Sequence, residues 1–304
     1  MLRESSLLSD DVAERFALDA ESFRSLALAL ARSRSSGEYS QATLRHAFSY
    51  PFDPLPFSFL IEGTRPWPLL PGFDSSRPSE CKVLFEGAEK RIAEITDTPL
   101  RGERYPLLSY GANASAASLA RKLSKLDGED RIAPVVVGWL DGFGVGPSAH
   151  FSSYGAMPAT LYEANGVRSK VAIAWVTEAQ LNAIAKSEFN YLFGSVRAST
   201  FTPLDGGSSS KGPLTFLSRH GVLRGDKGLP IPFAAVESEG CTIKPLTQKA
   251  VLTYAASLTG SADATALVRR IATDYEWAVG AAYELANKYA DQSLLQGEGF
   301  TRLI

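Results

Sequence analysis

The sequence predicts an α+β protein whose core occupies the middle of the chain, between two longer extensions. Apolar runs typical of buried strands, YPLLSY from residue 105 and PVVVGWL from 134 to 140, alternate there with helical patterns. Apolar residues make up 45% of the 304-residue chain, an ordinary share for a globular protein. We therefore expect a folded chain with an N-terminal extension (1–104), a core (105–240) and C-terminal helices (241–304).

The N-terminal extension begins with helical patterns and continues with a segment rich in proline and aromatic residues. The apolar spacing over 9–34 predicts one helix or two short ones, and QATLRHAF predicts another helical turn that ends before Pro51. The prolines of 50–73 nearly exclude helix. We interpret this segment as an extended strap whose rings cover a core face, with a peptide-docking arm as the alternative. Residues 82–96, KVLFEGAEKRIAEIT, predict a short amphipathic helix.

The core contains strands and helices with recognisable boundaries. The YPLLSY strand runs into Gly111, and ASAASLARKLSKL predicts the helix after it. PVVVGWL is continuously apolar, as expected for a strand covered on both faces. The dipeptide Asn165-Gly166 predicts a two-residue hairpin turn between MPATLYEA and SKVAIAWVT. Thr177 and Gln180 form a capping box for the helix TEAQLNAIAKSEF, and YLFGSV predicts a strand after it.

The C-terminal segment, 241–304, reads as helical and carries more apolar residues than a free helix exposes to water. We expect these helices and the N-terminal extension to pack on the core as one unit. The strap is expected beside the mouth of the functional pocket. The strap, 50–73, and the C-terminal helices are also the segments through which a protein partner would bind.

Composition and spacing exclude several functional classes. The 31 Lys and Arg residues nearly balance the 33 Asp and Glu residues, so the net charge of −2 predicts neither a nucleic-acid partner nor an anionic membrane partner. Cys81, Cys241 and the three histidines show no metal-binding spacing, and we expect no metal. An acidic N-terminus and the lack of a long apolar run predict a cytoplasmic protein without a membrane span.

The loop LLSYGANAS, 107–115, is the first candidate site. A strand that runs into a helix start leaves backbone N–H groups unpaired, and such groups suit a carboxylate or another small anion. Gly and Asn at such a turn are most often only turn formers. A second element lies downstream: Glu188 follows an apolar helix, and Tyr191 stands three residues further on.

The order of these elements resembles the γ-glutamyl cyclotransferase family. In that family a YGSN-type loop follows the first strand, and a glutamate follows the helix after a hairpin. Here the loop reads YGAN, the hairpin ATLYEANGVRSKVAIAWV and the helix TEAQLNAIAKSE. The resemblance covers about 105–196, under a third of the chain. Ala112 stands where the family usually has Ser, and Phe189 follows the glutamate where Gly is common.

The resemblance implies a small mixed β-barrel with flanking helices and an enzyme that needs no cofactor. The loop amides of Tyr110, Gly111, Ala112 and Asn113 would hold the α-carboxylate of a small-molecule γ-glutamyl substrate, and Tyr191 is a further candidate substrate-binding residue. Glu188 would be the general acid and base: it takes a proton from the substrate α-amine, which attacks the γ-carbonyl, and returns it to the departing amine. The products would be 5-oxoproline and a free amine or amino acid.

Two other functions remain open on the same core. One is a non-catalytic binding or interaction module, and the other is a different acyl-transfer or amide-cleaving enzyme that uses the same pocket. Burial of Glu188 among Phe189, Tyr191 and Phe193 would suit proton transfer, whereas an exposed glutamate at a helix end is the ordinary case. The resemblance does not reach the residues that would contact the leaving amine.

Overall fold

The computed structural model describes residues 7–34, 37–197 and 200–304. These residues form an α+β fold around one large mixed sheet, which confirms the predicted class. The helices are α1 (Asp10–Ala17), α2 (Ala20–Ser33), α3 (Gln41–Phe48), α4 (Ile92–Ile95), α5 (Ala116–Leu123), α6 (Glu178–Ala185), α7 (Gln248–Thr259), α8 (Ala264–Thr273), α9 (Tyr275–Tyr289) and α10 (Ser293–Gln296). Helices α1 and α2 show that the N-terminal pattern encodes two helices.

The strands are β1 (Phe59–Glu62), β2 (Arg65–Pro68), β3 (Lys82–Phe85), β4 (Ala88–Arg91), β5 (Tyr105–Ser109), β6 (Ile132–Pro147), β7 (Ala159–Val176), β8 (Tyr191–Val196), β9 (Thr200–Pro203), β10 (Ser210–Lys211), β11 (Leu214–Ser218), β12 (Val222–Leu223), β13 (Ser238–Glu239), β14 (Ala290–Asp291) and β15 (Phe300–Arg302). The main sheet has the order β10-β9-β6-β7-β5-β11-β8-β15, with β1, β2 and β13 attached beside this path. Within the described residues the path ends at β10 and at β15. The sheet is therefore not closed into the barrel that we expected.

Alternating side chains of the long strands face two separate cores. Val135 and Val137 of β6 pack with α1, α5 and α6 on one face, whereas Val136 belongs to the core that contains α7, α8 and α9. Ala174 and Ile173 of β7 divide in the same way. Because helices cover both faces of the sheet, the continuously apolar PVVVGWL segment is buried on both sides, as predicted.

The hairpin predicted at Asn165-Gly166 does not exist. Both halves of the segment pair with the same strand: Ala174 lies opposite Val135, and Glu163 lies opposite Phe143. The segment is thus the single strand β7, and its real hairpin partner is β6. The pairing register of β6 and β7 shifts next to Gly142, and Gly166 lies in this irregular part of β7 with a φ of 76°. The positive φ that suggested a turn therefore belongs to a β-bulge.

The prediction of a helix over 82–96 is mostly wrong. Strands β3 and β4 form an antiparallel hairpin, and only α4 is helical. Glu86 and Gly87 between the strands have φ values of 49° and 82°, as a primed two-residue turn requires. Each strand is only four residues long. The turn that Gly87 permits therefore determined the local structure, and the weak helical spacing of the apolar residues did not.

Both extensions contribute to the central sheet, which the sequence did not predict. β1 pairs with β6, and β15 pairs with β8. The strap is extended and packs inward: Tyr50, Leu60, Leu69 and Phe73 are buried in the larger core. Helix α6 has the predicted capping box, in which Thr177 and Gln180 cap each other's backbone. No helix within the described ranges is long and apolar enough to cross a membrane.

Candidate active site

A cavity of about 410 Å³ lies where the loop after β5, the start of α5, the loop after α6 and the strap meet. We call it the glutamate cavity, because Glu188 lies in its wall. All the residues predicted for the site line it, namely Tyr110, Gly111, Ala112, Asn113, Glu188 and Tyr191. Tyr50 and Phe52 of the strap line it as well. The structure therefore brings the two sequence elements together and places part of the strap beside them.

The loop after β5 requires glycine at Gly111 because of the strap. A Cβ atom at this position would overlap the hydroxyl of Tyr50 and would approach Ala159 Cβ to 3.3 Å. The same hydroxyl accepts a 2.8 Å hydrogen bond from the N–H of Ala159. Gly111 thus lets the strap and β7 meet directly behind the loop.

Backbone and side-chain polar groups around the loop remain unpaired. The N–H groups of Gly111, Ala112 and Asn113 donate to no acceptor among the described residues. The hydroxyls of Ser109 and Ser118, both buried and both in the cavity wall, also lack a partner there. Buried polar groups are normally satisfied, so this part of the wall is suited to a polar ligand.

Glu188 forms a buried ion pair that the sequence did not predict. Lys122 Nζ lies 2.7 Å from Glu188 Oε1, and each side chain is only 13% exposed. Asn113 links the pair: its Oδ1 accepts from Lys122 Nζ at 2.6 Å, and its Nδ2 donates to Glu188 Oε1 at 3.2 Å. The side chain of Asn113 therefore orients both charged groups.

The two carboxylate oxygens of Glu188 differ in their surroundings. Oε1 receives hydrogen bonds from Lys122, Asn113 and, at 3.4 Å, Ser187. Oε2 accepts no hydrogen bond from the described residues. One oxygen is thus fixed by the protein, and the other is available to a ligand.

The aromatic surroundings of Glu188 differ from the expectation. Phe193 is not in the cavity wall; it lies in the core that contains α1, α5 and α6, where it packs against Phe16 and Phe216. Phe189 packs against Phe23 of α2 with tilted rings at a centroid distance of 4.8 Å. The closest partner of Glu188 is the ammonium of Lys122, at 2.7 Å, and not an aromatic ring.

Four tyrosines line the glutamate cavity, namely Tyr50, Tyr110, Tyr154 and Tyr191. Tyr110 donates to the carbonyl of Phe216, and Tyr191 donates to the carbonyl of Ala159 at 2.9 Å. Burial raises the pKa of Tyr50, Tyr110 and Tyr191, and it raises the pKa of Tyr154 to about 12. These hydroxyls stay neutral at ordinary pH, so they supply hydrogen bonds and not bases.

Sequence reasoning missed Lys122 and Tyr50. Lys122 lies three residues after Leu119 and one before Leu123, both of which are buried apolar residues of α5. A lysine at such a position signals a buried partner, and this was the available clue. Tyr50 carried no comparable signal, because its position depends on how the strap crosses the core.

The wall around the pair is otherwise positively charged. Arg34, Arg121, Lys122 and Lys186 line the cavity, and Glu188 is its one acidic residue within the described part of the chain. No group of three His, Cys, Asp or Glu side chains in that part is arranged to hold a metal ion. The site is thus suited to anionic or zwitterionic ligands.

Comparison of the chain with protein-family models, with curated proteins and with solved structures finds no match. The assignment of function depends on the site itself.

Proposed function

We propose that this protein is a γ-glutamyl cyclotransferase-like enzyme, whose core is a variant of that family's fold with an open sheet. It would release 5-oxoproline and a free amine or amino acid from a γ-glutamyl substrate. The observation that carries the proposal is the Glu188–Lys122 pair, which presents opposite charges 2.7 Å apart in the wall of a cavity. An α-amino acid group also carries opposite charges on adjacent substituents, so the pair complements the free end of a γ-glutamyl group.

The pair supports the following sequence of steps. The substrate ammonium lies against Glu188 Oε2, and the α-carboxylate lies between Lys122 and the unpaired N–H groups of the YGAN loop. Glu188 takes a proton from the ammonium, and the freed amine attacks the γ-carbonyl carbon. The new C–N bond closes the five-membered ring. When the old amide C–N bond breaks, Glu188 returns the proton to the leaving nitrogen.

Lys122 has two effects in this scheme. It holds Glu188 Oε1 by a 2.7 Å hydrogen bond, which leaves Oε2 to meet the substrate ammonium. Within the described residues Lys122 Nζ donates to Glu188 and Asn113, so its third N–H can donate to the substrate α-carboxylate.

The test is release of 5-oxoproline from a panel of γ-glutamyl amino acids and amines by the full chain. We expect turnover in the wild type and a loss of about 10²-fold or more in Glu188→Gln, because an amide cannot carry the proton. Glu178→Gln is the matched control, since Glu178 is exposed at the start of α6 and lies outside the cavity wall.

Two results would contradict the proposal. Full turnover in Glu188→Gln would remove Glu188 from the chemistry. Binding of γ-glutamyl compounds without any release of 5-oxoproline would favour the non-catalytic module instead.

A further inference from the structure

A second cavity of about 400 Å³ adjoins the glutamate cavity. We call it the histidine cavity, because His220 lies in its wall. Helix α2 of the N-terminal extension and α9 of the C-terminal segment form one side of it. His150, Ser152 and Phe189 line both cavities, so these residues mark the boundary between them.

The wall of the histidine cavity combines an apolar surface with buried polar groups. Leu26, Leu30, Ile271 and Val279 belong to the apolar part. His220 is 4% exposed, and its Nε2 has no partner among the described residues. The hydroxyl of Tyr283, in the same wall, also lacks one. An apolar cavity with a few unpaired polar groups is the usual form of a site for a small molecule.

The charges of this cavity are of one sign. Arg15, Arg34 and Lys186 line it, and the described residues of the wall include no acidic side chain. Arg15 is already engaged, because its guanidinium donates to the carbonyls of Ala185 and Lys186. Arg34 and Lys186 are exposed and also line the glutamate cavity. They place positive charge beside the boundary of the two cavities.

We propose that the histidine cavity binds the leaving part of the substrate, and that this part is an amino acid with a large apolar or aromatic side chain. The inference rests on the proposed function. With the glutamyl group at Glu188, the scissile amide reaches the boundary at His150 and Phe189. The side chain of the leaving amino acid then lies along α2 and α9, and its carboxylate meets Arg34 and Lys186.

The experiment compares 5-oxoproline release from three conjugates: γ-glutamylphenylalanine, γ-glutamylglycine and γ-glutamylphenethylamide, which lacks the second carboxylate. We expect kcat/KM for the phenylalanine conjugate to exceed that for the glycine conjugate by about tenfold or more. Arg34→Ala combined with Lys186→Ala should lower kcat/KM about fivefold more for the phenylalanine conjugate than for the phenethylamide, because only the phenylalanine conjugate carries the second carboxylate.

Val279→Trp tests the location, because Val279 is partly buried in the cavity wall. It should reduce kcat/KM for the phenylalanine conjugate about tenfold and spare the glycine conjugate, whose turnover also reports that the variant is folded. Gly280→Trp is the control on the same helix, since a side chain there meets nothing within 4 Å.

The outcomes separate the two proposals. Equal kcat/KM for the glycine and phenylalanine conjugates, or an equal loss for both in Val279→Trp, would overturn the leaving-group site while leaving the proposed function in place. No release from any conjugate would overturn the proposed function, and the leaving-group site with it.

Discussion

The glutamate cavity and the histidine cavity are neighbours of similar volume, yet they bury their titratable groups in opposite ways. In the first, Glu188 and Lys122 are buried as a charged pair. In the second, burial lowers the pKa of His220 to about 4, and burial also lowers the pKa of His150 well below its ordinary value. Both histidines are therefore neutral at ordinary pH.

The difference follows from the partners that each fold region supplies. Lys122 and Asn113 stabilise the charge of Glu188 by direct hydrogen bonds. His150 meets the hydroxyl of Ser148 at 2.5 Å, and its ring centroid lies 5.0 Å from that of His220. Among the described residues, no carboxylate acts on either imidazole to stabilise a charge. A desolvated imidazole without an anion stays neutral. One cavity thus contains a paired charge, and the other contains neutral imidazoles.

The largest effect that we expect from the difference between the two cavities is a dependence of the free energy of unfolding on pH, caused by His220. His220 has a lower pKa in the folded protein, about 4, than the ordinary 6.5 of the unfolded chain. Below pH 6.5 the unfolded chain binds a proton that the folded chain does not, so the free energy of unfolding falls as pH falls from 6.5 to 4. The shift corresponds to about 3 kcal/mol, with His150 acting in the same direction.

The measurement is urea unfolding of the wild type and of His220→Asn at several pH values. The difference between their free energies of unfolding should change over this range, because Asn carries no titration. His46→Asn is the control: burial also lowers the pKa of His46, but that ring is only partly buried, so its contribution should be smaller. A difference that stays constant with pH would show that His220 is not a buried neutral group.

The next largest effect on the free energy of unfolding is expected in the glutamate cavity. Lys122→Met leaves the carboxylate of Glu188 buried without its cation, and we expect a loss of about 2 kcal/mol in the free energy of unfolding. Adding Glu188→Gln should restore most of it, because no uncompensated charge then remains. Lys125→Met, one turn along and exposed, is the control. Additive losses in the double variant would contradict the pair.

How far the sequence predicts this molecule depends on the range of the interactions involved. Thr177 and Gln180 cap α6 as expected, because a capping box is decided within four residues. Asn165-Gly166 was misread as a hairpin, because the partner of each half is chosen by β6 and not by the dipeptide. The pairings of β1 with β6 and of β15 with β8 depend on still longer separations.

The candidate site shows the same limit. The YGAN loop and Glu188 were predicted as elements of one site, and they line one cavity. The cation that pairs with Glu188 was not predicted: the apolar neighbours of Lys122 on α5 indicate a buried partner, but they do not identify which acidic residue it is. The histidine cavity has walls from residues more than two hundred positions apart, α2 and α9, so no local pattern describes it.

The smallest expected effect concerns the contact between the strap and the glutamate cavity. In Gly111→Ala the new methyl group overlaps the hydroxyl of Tyr50, and we expect a loss of about 2 kcal/mol from the displaced tyrosine. Tyr50→Phe alone loses the hydrogen bond to Ala159 and should cost about 1 kcal/mol. Without the hydroxyl, the closest atoms to the methyl group are Ala159 Cβ at 3.3 Å and the ring carbon of residue 50 at 3.5 Å, which small shifts can accommodate. In urea unfolding, the loss of free energy in the double variant should therefore be smaller than the sum of the two single losses, by about 1 kcal/mol. Strictly additive losses would mean that the strap does not lie against Gly111, and that the glutamate cavity has a different wall.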